Sequence, residues 1–193
     1  MSTINATLTD QDFQSAANIL NCEVAAIKSV ADVETAGAPF FPNGWPKLLF
    51  EALTFHRYTG GKYDATAPNI SSPTWNRALY GKTWDAEFQR FQTACTLDRR
   101  AAVMSCSWGM FQIMGFNFAL CGYTDVDAFV NDMKTDVAHH LSTFVQYVKH
   151  MRLDVCLQNH DWVAFAQRYN GPSEAENHYH DKLAAAYAKF KTT

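Results

Sequence analysis

Two glutamates stand where glutamate is poorly accommodated, and their placement defines the chemistry open to this chain. An apolar stripe through Val24, Ile27 and Ala31 predicts a helix from about Glu23 to Glu34, and its next member is Glu34. A carboxyl that continues a buried face at a helix C-terminal end is disfavoured as an anion twice, by desolvation and by the negative pole of the helix. Both effects favour the protonated form, which a general acid needs to donate to a leaving oxygen. Glu51 is the second, a lone acid between Phe50 and Leu53 in an apolar stretch. A buried acid needs a partner, which Lys47 or Arg57 could supply. A pair of acids, one on a helix end and one on a cleft wall, suits glycoside hydrolysis.

The elements that must position these groups read mostly as helix. Thr9 and Asp12 form a capping pair ahead of Phe13, Ala16, Ala17 and Leu20. A helix opens near Thr83 with Trp84, Phe88, Phe91 and Cys95 on one face. It, or a successor after Leu97, runs on toward Met104. The stretch Trp108–Cys121 is strongly apolar and reads as a buried helix or helix–turn segment. Asp125 caps a helix bearing Val126, Phe129, Val130 and Met133, and Val137 to Val148 form the next. A short helix through Trp162, Phe165, Ala166 and Tyr169 stops at Asn170-Gly171-Pro172. Ser173 and Glu176 form a capping box for a last helix with Tyr179, Leu183, Tyr187 and Phe190 facing inward. Thr35–Lys82 differs: it holds every proline but Pro172 and five of the nine glycines, and reads as an irregular insert walling a cleft.

Composition narrows the function further. The 193 residues carry 16 Lys plus Arg against 19 Asp plus Glu, which argues against a general nucleic-acid binder. That length suits one domain, expected over 1–193 with its core at about 13–190 and with no separate second module. Neither an apolar bilayer-length run nor a signal-peptide h-region is present, so retention in a cytoplasm is expected. Five dispersed cysteines without a C-x-x-C pair read as buried thiols in a reducing compartment. His139, His140 and Asp136 lack the spacing of a zinc site, and Cys106 has no partner signature for a thiol hydrolase. No metal or cofactor is expected.

Three segments in order then carry a resemblance. Val30–Thr35 resembles the motif in which goose-type lysozymes and lytic transglycosylases hold their catalytic Glu-Ser. Ser107-Trp108-Gly109-Met110-Phe111-Gln112-Ile113 resembles their Gly-Leu-Met-Gln-Ile signature, and Phe165–Gly171 their Ala-Tyr-Asn-x-Gly signature. The pattern is closer still to the N-acetylmuramidase family of phage endolysins and prophage lysozymes. It lies in Pro46–Glu51, Leu97-Asp98-Arg99 before Ser105, Trp108–Asn117 and Tyr169-Asn170-Gly171-Pro172, within a likeness from about Phe13 to Phe190. Thr35 in place of Ser and Met110-Phe111 in place of Leu-Met are its departures.

The resemblance implies a mainly α, lysozyme-like domain with a small irregular or β-containing insert on one wall of its cleft. It implies cleavage of the β-1,4 bond between N-acetylmuramic acid and N-acetylglucosamine in peptidoglycan. A lytic transglycosylase yielding a 1,6-anhydro product is the alternative. Glu34 would be the general acid and Glu51 the candidate second carboxylate, with Gln112, Tyr169, Asn170 and Trp108 binding substrate. It also implies a monomer that binds neither nucleic acid nor membrane stably, held in the host cytoplasm until lysis.

Overall fold

The computed structural model describes residues 4–34, 38–171 and 177–192. Helix α1 (Asp10–Leu20) opens on a capping box in which Thr9 and Asp12 exchange side-chain and backbone hydrogen bonds. After a left-handed Asn21 the chain enters α2 (Val24–Glu34), whose Ile27, Val30 and Ala31 are buried. The last helix, α10 (Tyr179–Lys191), packs along α2, and α9 (Trp162–Tyr169) packs against α10. Of the inward residues expected on α10, Leu183 is buried; Tyr187 and Phe190 are only half-buried, and Ala186 takes the second core position. The expected capping residues Ser173 and Glu176 lie outside the described residues.

The segment expected to be irregular folds in part. It contributes strand β1 (Leu48–Phe50), helix α3 (Ala52–Thr59) and a 3-10 turn at Arg77–Leu79. Thr83 then caps α4 (Trp84–Leu97). Beyond Leu97 the chain starts a separate helix rather than continuing α4. Asp98 ends α4 and caps α5 (Arg99–Met104) by accepting from the Ala101 N–H.

Trp108–Cys121 is not the buried helix its composition suggests. Strand β2 (Cys106–Trp108) turns through Gly109–Gln112 into β3 (Ile113–Met114), followed by a 3-10 turn at Gly115–Asn117. Two left-handed residues, Gly109 at φ 69° and Gln112 at φ 48°, break any helical phase. A Cβ at residue 109 would also collide with Met133 Cε and His140 Nδ1. The three strands form one antiparallel sheet in the order β1-β2-β3, with Leu49 opposite Ser107 and Ser107 opposite Met114. Helices α6 (Val126–Met133), α7 (Val137–His150) and α8 (Asp154–Gln158) complete the chain, the first two capped by Asp125 and Asp136.

The core lies between the helices and the inner face of the sheet, filled by Phe50, Phe55, Trp108, Phe111, Phe129, Phe144 and Phe165. No helix among the described residues is long and apolar enough to cross a membrane.

Candidate active site

Glu34 closes α2 and faces a cleft of about 450 Å³. Opposite it stands the outer face of the sheet. Leu49, Ser107 and Met114, aligned across the three strands, all line the cleft, and Lys47 continues that row on the β1 side. Phe111 and Gln112 contribute from the hairpin turn, Tyr169 and Asn170 from the end of α9, and Val33 and Tyr179 from the α2–α10 side.

Each wall is fixed locally. Helix α9 is anchored by Asp161 at its start and by buried Phe165 and Ala166 along its face. Its cap Asn170 therefore arrives beside α2, where its carboxamide donates to Glu34 Oε1 at 3.0 Å. Tyr169 donates its hydroxyl to the Phe111 carbonyl at 2.8 Å, tying α9 to the hairpin turn. Gln112 is held at both ends, its Nε2 donating to the Gly109 carbonyl and its Oε1 accepting from Ser107, each at 2.8 Å. A non-glycine residue in left-handed backbone, braced by its own side chain, is a common mark of a functional turn.

Behind the turn, buried His140 supplies the brace. A carbonyl only accepts, so the 2.7 Å contact to the Met133 oxygen places the proton on Nε2. Nδ1 is then free to accept from the Met110 N–H at 3.1 Å. Burial lowers the His140 pKa to about 4, in keeping with this neutral tautomer. His140 drew notice in the sequence only as a possible metal ligand, and nothing local to it signalled a brace for residues thirty positions earlier.

Electrostatically, Glu34 is the one acid lining the cleft among the described residues. Burial raises its pKa, and the Asn170 donor and the Lys47 charge pull back less strongly. Asn170 serves both protonation states: its N–H₂ donates to the carboxylate, and a rotated amide would accept from the acid hydroxyl. Its Oδ1 is buried without a hydrogen-bond partner.

The structure thus gathers Glu34, Gln112, Tyr169 and Asn170 around one cleft and leaves two expected residues outside its lining. Trp108 needs correction as a substrate-binding residue. It is 0% exposed, donates its indole N–H to the Val103 carbonyl and packs edge-on against Phe91. In β2 it alternates with Ser107, so the motif's serine faces the cleft and its tryptophan faces the core.

Glu51 lies one step past Leu49 on the same side of β1, about 7 Å up the strand. Its carboxylate turns away to accept from Tyr80 Oη at 2.8 Å, in a separate pocket of about 10 Å³ with Trp75, Asn76 and Arg90. Neither Lys47 nor Arg57 is its partner in this arrangement. Lys47, Leu49, Ser107 and Met114 were not expected from sequence to line the cleft. Alternation over a three-residue strand is too short a signal to reveal them.

The model of the Muramidase family, described as N-acetylmuramidase, matches residues 23–191. Among solved structures, that of Burkholderia AP3 phage endolysin matches with a TM-score of 0.89 at 35% sequence identity, covering 97% of this chain and 73% of that one. No curated protein matches.

Proposed function

The chain belongs to the N-acetylmuramidase family, peptidoglycan-degrading glycoside hydrolases, and we propose that Glu34 is the general acid that breaks the glycan. The bond cut is the β-1,4 link between N-acetylmuramic acid and N-acetylglucosamine. Glu34 gives its proton to the bridging oxygen as the C1–O bond opens. Water then adds to C1 of the oxocarbenium-like sugar and loses a proton to solvent, and solvent reprotonates Glu34. The observation that carries this reading is a desolvated carboxyl opening on a cleft and paired with an amide that can serve both its charge states.

Gln112, Tyr169 and Asn170 shape the groove around that acid. Glu51, on the same sheet face but held by Tyr80, acts on the site through position and charge rather than by taking up a proton from water. By likeness to the AP3 phage endolysin, the protein serves as an endolysin. It works as a monomer, its cleft built from one chain, and waits in the host cytoplasm until the membrane is breached.

Digestion of purified murein followed by mass spectrometry of the muropeptides tests the reading. Reducing N-acetylmuramic acid ends support it; intact murein overturns it. A 1,6-anhydro end would instead assign a transglycosylase, in which the sugar's own hydroxyl replaces water at the same single-acid cleft.

A further inference from the structure

A second groove, of about 450 Å³, adjoins the Glu34 cleft at the α2–α10 wall, and Val33 lines both. Asp32 adds to its α2 side, and Lys182, Ala185, Ala186 and Lys189 form its α10 side. Those four residues fall at i, i+3, i+4 and i+7, one stripe of a helix. The lysines end the stripe, and only methyl groups lie between them.

The charge of this groove runs against that of the molecule. The chain carries a net −3, whereas the groove presents two ammonium groups to one carboxylate. Lys182 is exposed and holds Nζ 5.4 Å from the centroid of the Tyr179 ring, which places a cation next to a ring that lines the cleft. Lys189 stands 3.7 Å from Asp32, the two side chains 64% and 46% exposed. An exposed ion pair of that length is weakly held and opens at little cost to an incoming ammonium and carboxylate. A methyl floor with charges of both signs at its edges complements a short peptide that bears its own charges.

Resting on the reading of Glu34 as the acid, we propose that this groove binds, through its carboxylates, the stem peptide carried by the N-acetylmuramic acid in the cleft. The glycan of murein is neutral, and its stem peptides carry the charge. Their carboxylates sit on the second and third residues and at the C-terminus, with an ammonium where the third residue is a diamino acid. Lys182 and Lys189 are two helical turns apart, about 10 Å along the axis, and about three residues of extended peptide span that distance. Lys182, beside the cleft, takes the first stem carboxylate and Lys189 one nearer the peptide's end, while Asp32 receives the ammonium. The peptide backbone rests on Ala185 and Ala186, whose small side chains let it approach. Lys182 and Lys189 are therefore binding residues that draw affinity from a part of the substrate remote from the bond broken.

The test measures kcat/KM for wild type, Lys182→Gln, Lys189→Gln and the double variant on three substrates. These are murein freed of accessory anionic polymer, the same murein with its stem carboxylates chemically amidated, and glycan strands stripped of stem peptide. The expected result is that wild type prefers the first substrate over the other two by about tenfold, mainly through KM, and that added salt erodes the preference. Each single variant cuts that preference about threefold, and the double variant brings it to within about twofold of unity. Melting temperatures stay at the wild-type value, because both side chains are exposed, and Lys182→Arg, which keeps the charge, keeps the preference. A wild type indifferent to amidation and stripping overturns the proposal, as do variants with the wild-type preference. A dependence on the lysines seen only on wall that retains anionic polymer assigns the groove to that polymer and also overturns it. A wild type that cuts none of the three substrates defeats the Glu34 reading instead. Co-sedimentation of Glu34→Gln protein with intact and amidated murein, with and without the two lysines, then reads the groove without cleavage: binding that ignores the lysines overturns the proposal by itself.

Discussion

Glu34 and Glu51 are both carboxyls drawn out of water, and burial raises the pKa of each. What surrounds them differs. Glu34 has one amide donor and opens on a cleft large enough for a sugar. Glu51 receives a phenol that itself accepts the Trp75 indole N–H at 2.9 Å, and its pocket, at about 10 Å³, is too small for a sugar. Its hydrogen bond also helps push the Tyr80 phenol up to about 12. Glu87 extends the series. Only 4% exposed, it accepts from the Phe50 N–H, the Gly81 N–H and Arg90, and so ties α4 to β1. Burial marks all three acids. Only the first also lines the large cleft, and it is that placement rather than burial on which our proposal of Glu34 as the acid rests.

The largest expected effect breaks the comparison at its reactive end. Glu34→Gln keeps the shape and the Asn170 contact and removes the proton, so wall clearing falls by about 10²–10⁴-fold. Stability moves the other way. A carboxyl whose pKa is raised by folding keeps more protons folded than unfolded, so wild type loses stability as pH rises from the ordinary carboxyl range through the raised value. Gln carries no such penalty, and the variant melts above wild type at pH 7. A variant that is inactive but also destabilised would point to structural damage instead.

Glu87→Ala inverts this pattern. It leaves the Phe50 N–H and the Arg90 guanidinium without their buried acceptor, a loss of about 3–5 kcal/mol. Urea denaturation should report that loss, while the protein still folded clears wall at the wild-type rate per molecule. A fall in specific activity of the folded fraction would show that the α4–β1 tie also sets the cleft.

His140 adds a slope opposite to that of Glu34. Its pKa lies near 4 in the fold, below the ordinary 6.5 of histidine, so the unfolded chain takes up the proton first as pH falls. Stability is therefore complete above pH 6.5 and declines through pH 4, by roughly 3 kcal/mol. His140→Gln should lack that decline in denaturation curves taken across the range. Because the ring holds the Met110 N–H of the Gln112 turn, the same variant sharpens the comparison between brace and acid. An unchanged acid slope would remove histidine protonation as the cause.

How much of this was legible in the sequence depends on the range of each interaction. Glu34 was legible because its signal is local, an eleven-residue helix whose stripe ends on an acid. The turn after Tyr169 was marked by Asn170-Gly171-Pro172, and the capped helices by their own first turns. The hairpin was hidden because β2 exists through pairing with β1, some sixty residues earlier, while its apolar run resembles a buried helix. Trp108 misled because a family motif mixes groups that touch substrate with groups that support them. The partner of Glu51 was hidden because Tyr80 comes from an irregular stretch twenty-nine residues on, where no periodicity operates.

The smallest expected effect sharpens the comparison at its other end. Glu51→Gln retains an acceptor for Tyr80 and nearly the same volume, and removes a charge that lies outside the Glu34 cleft lining. If the role of Glu51 is positional, kcat falls no more than about tenfold, or about 1.4 kcal/mol, and the alkaline limb of the pH profile stays where Glu34 places it. Tyr80→Phe, which frees the carboxylate from its phenol and the indole from its acceptor, should act in the same range, since both changes loosen one network. A loss in Glu51→Gln as deep as that in Glu34→Gln, with the melting temperature unmoved, would instead require the Glu51 carboxylate to leave Tyr80 when glycan binds. The reaction would then use two acids, and the distance between them in the occupied cleft would decide between inversion and retention.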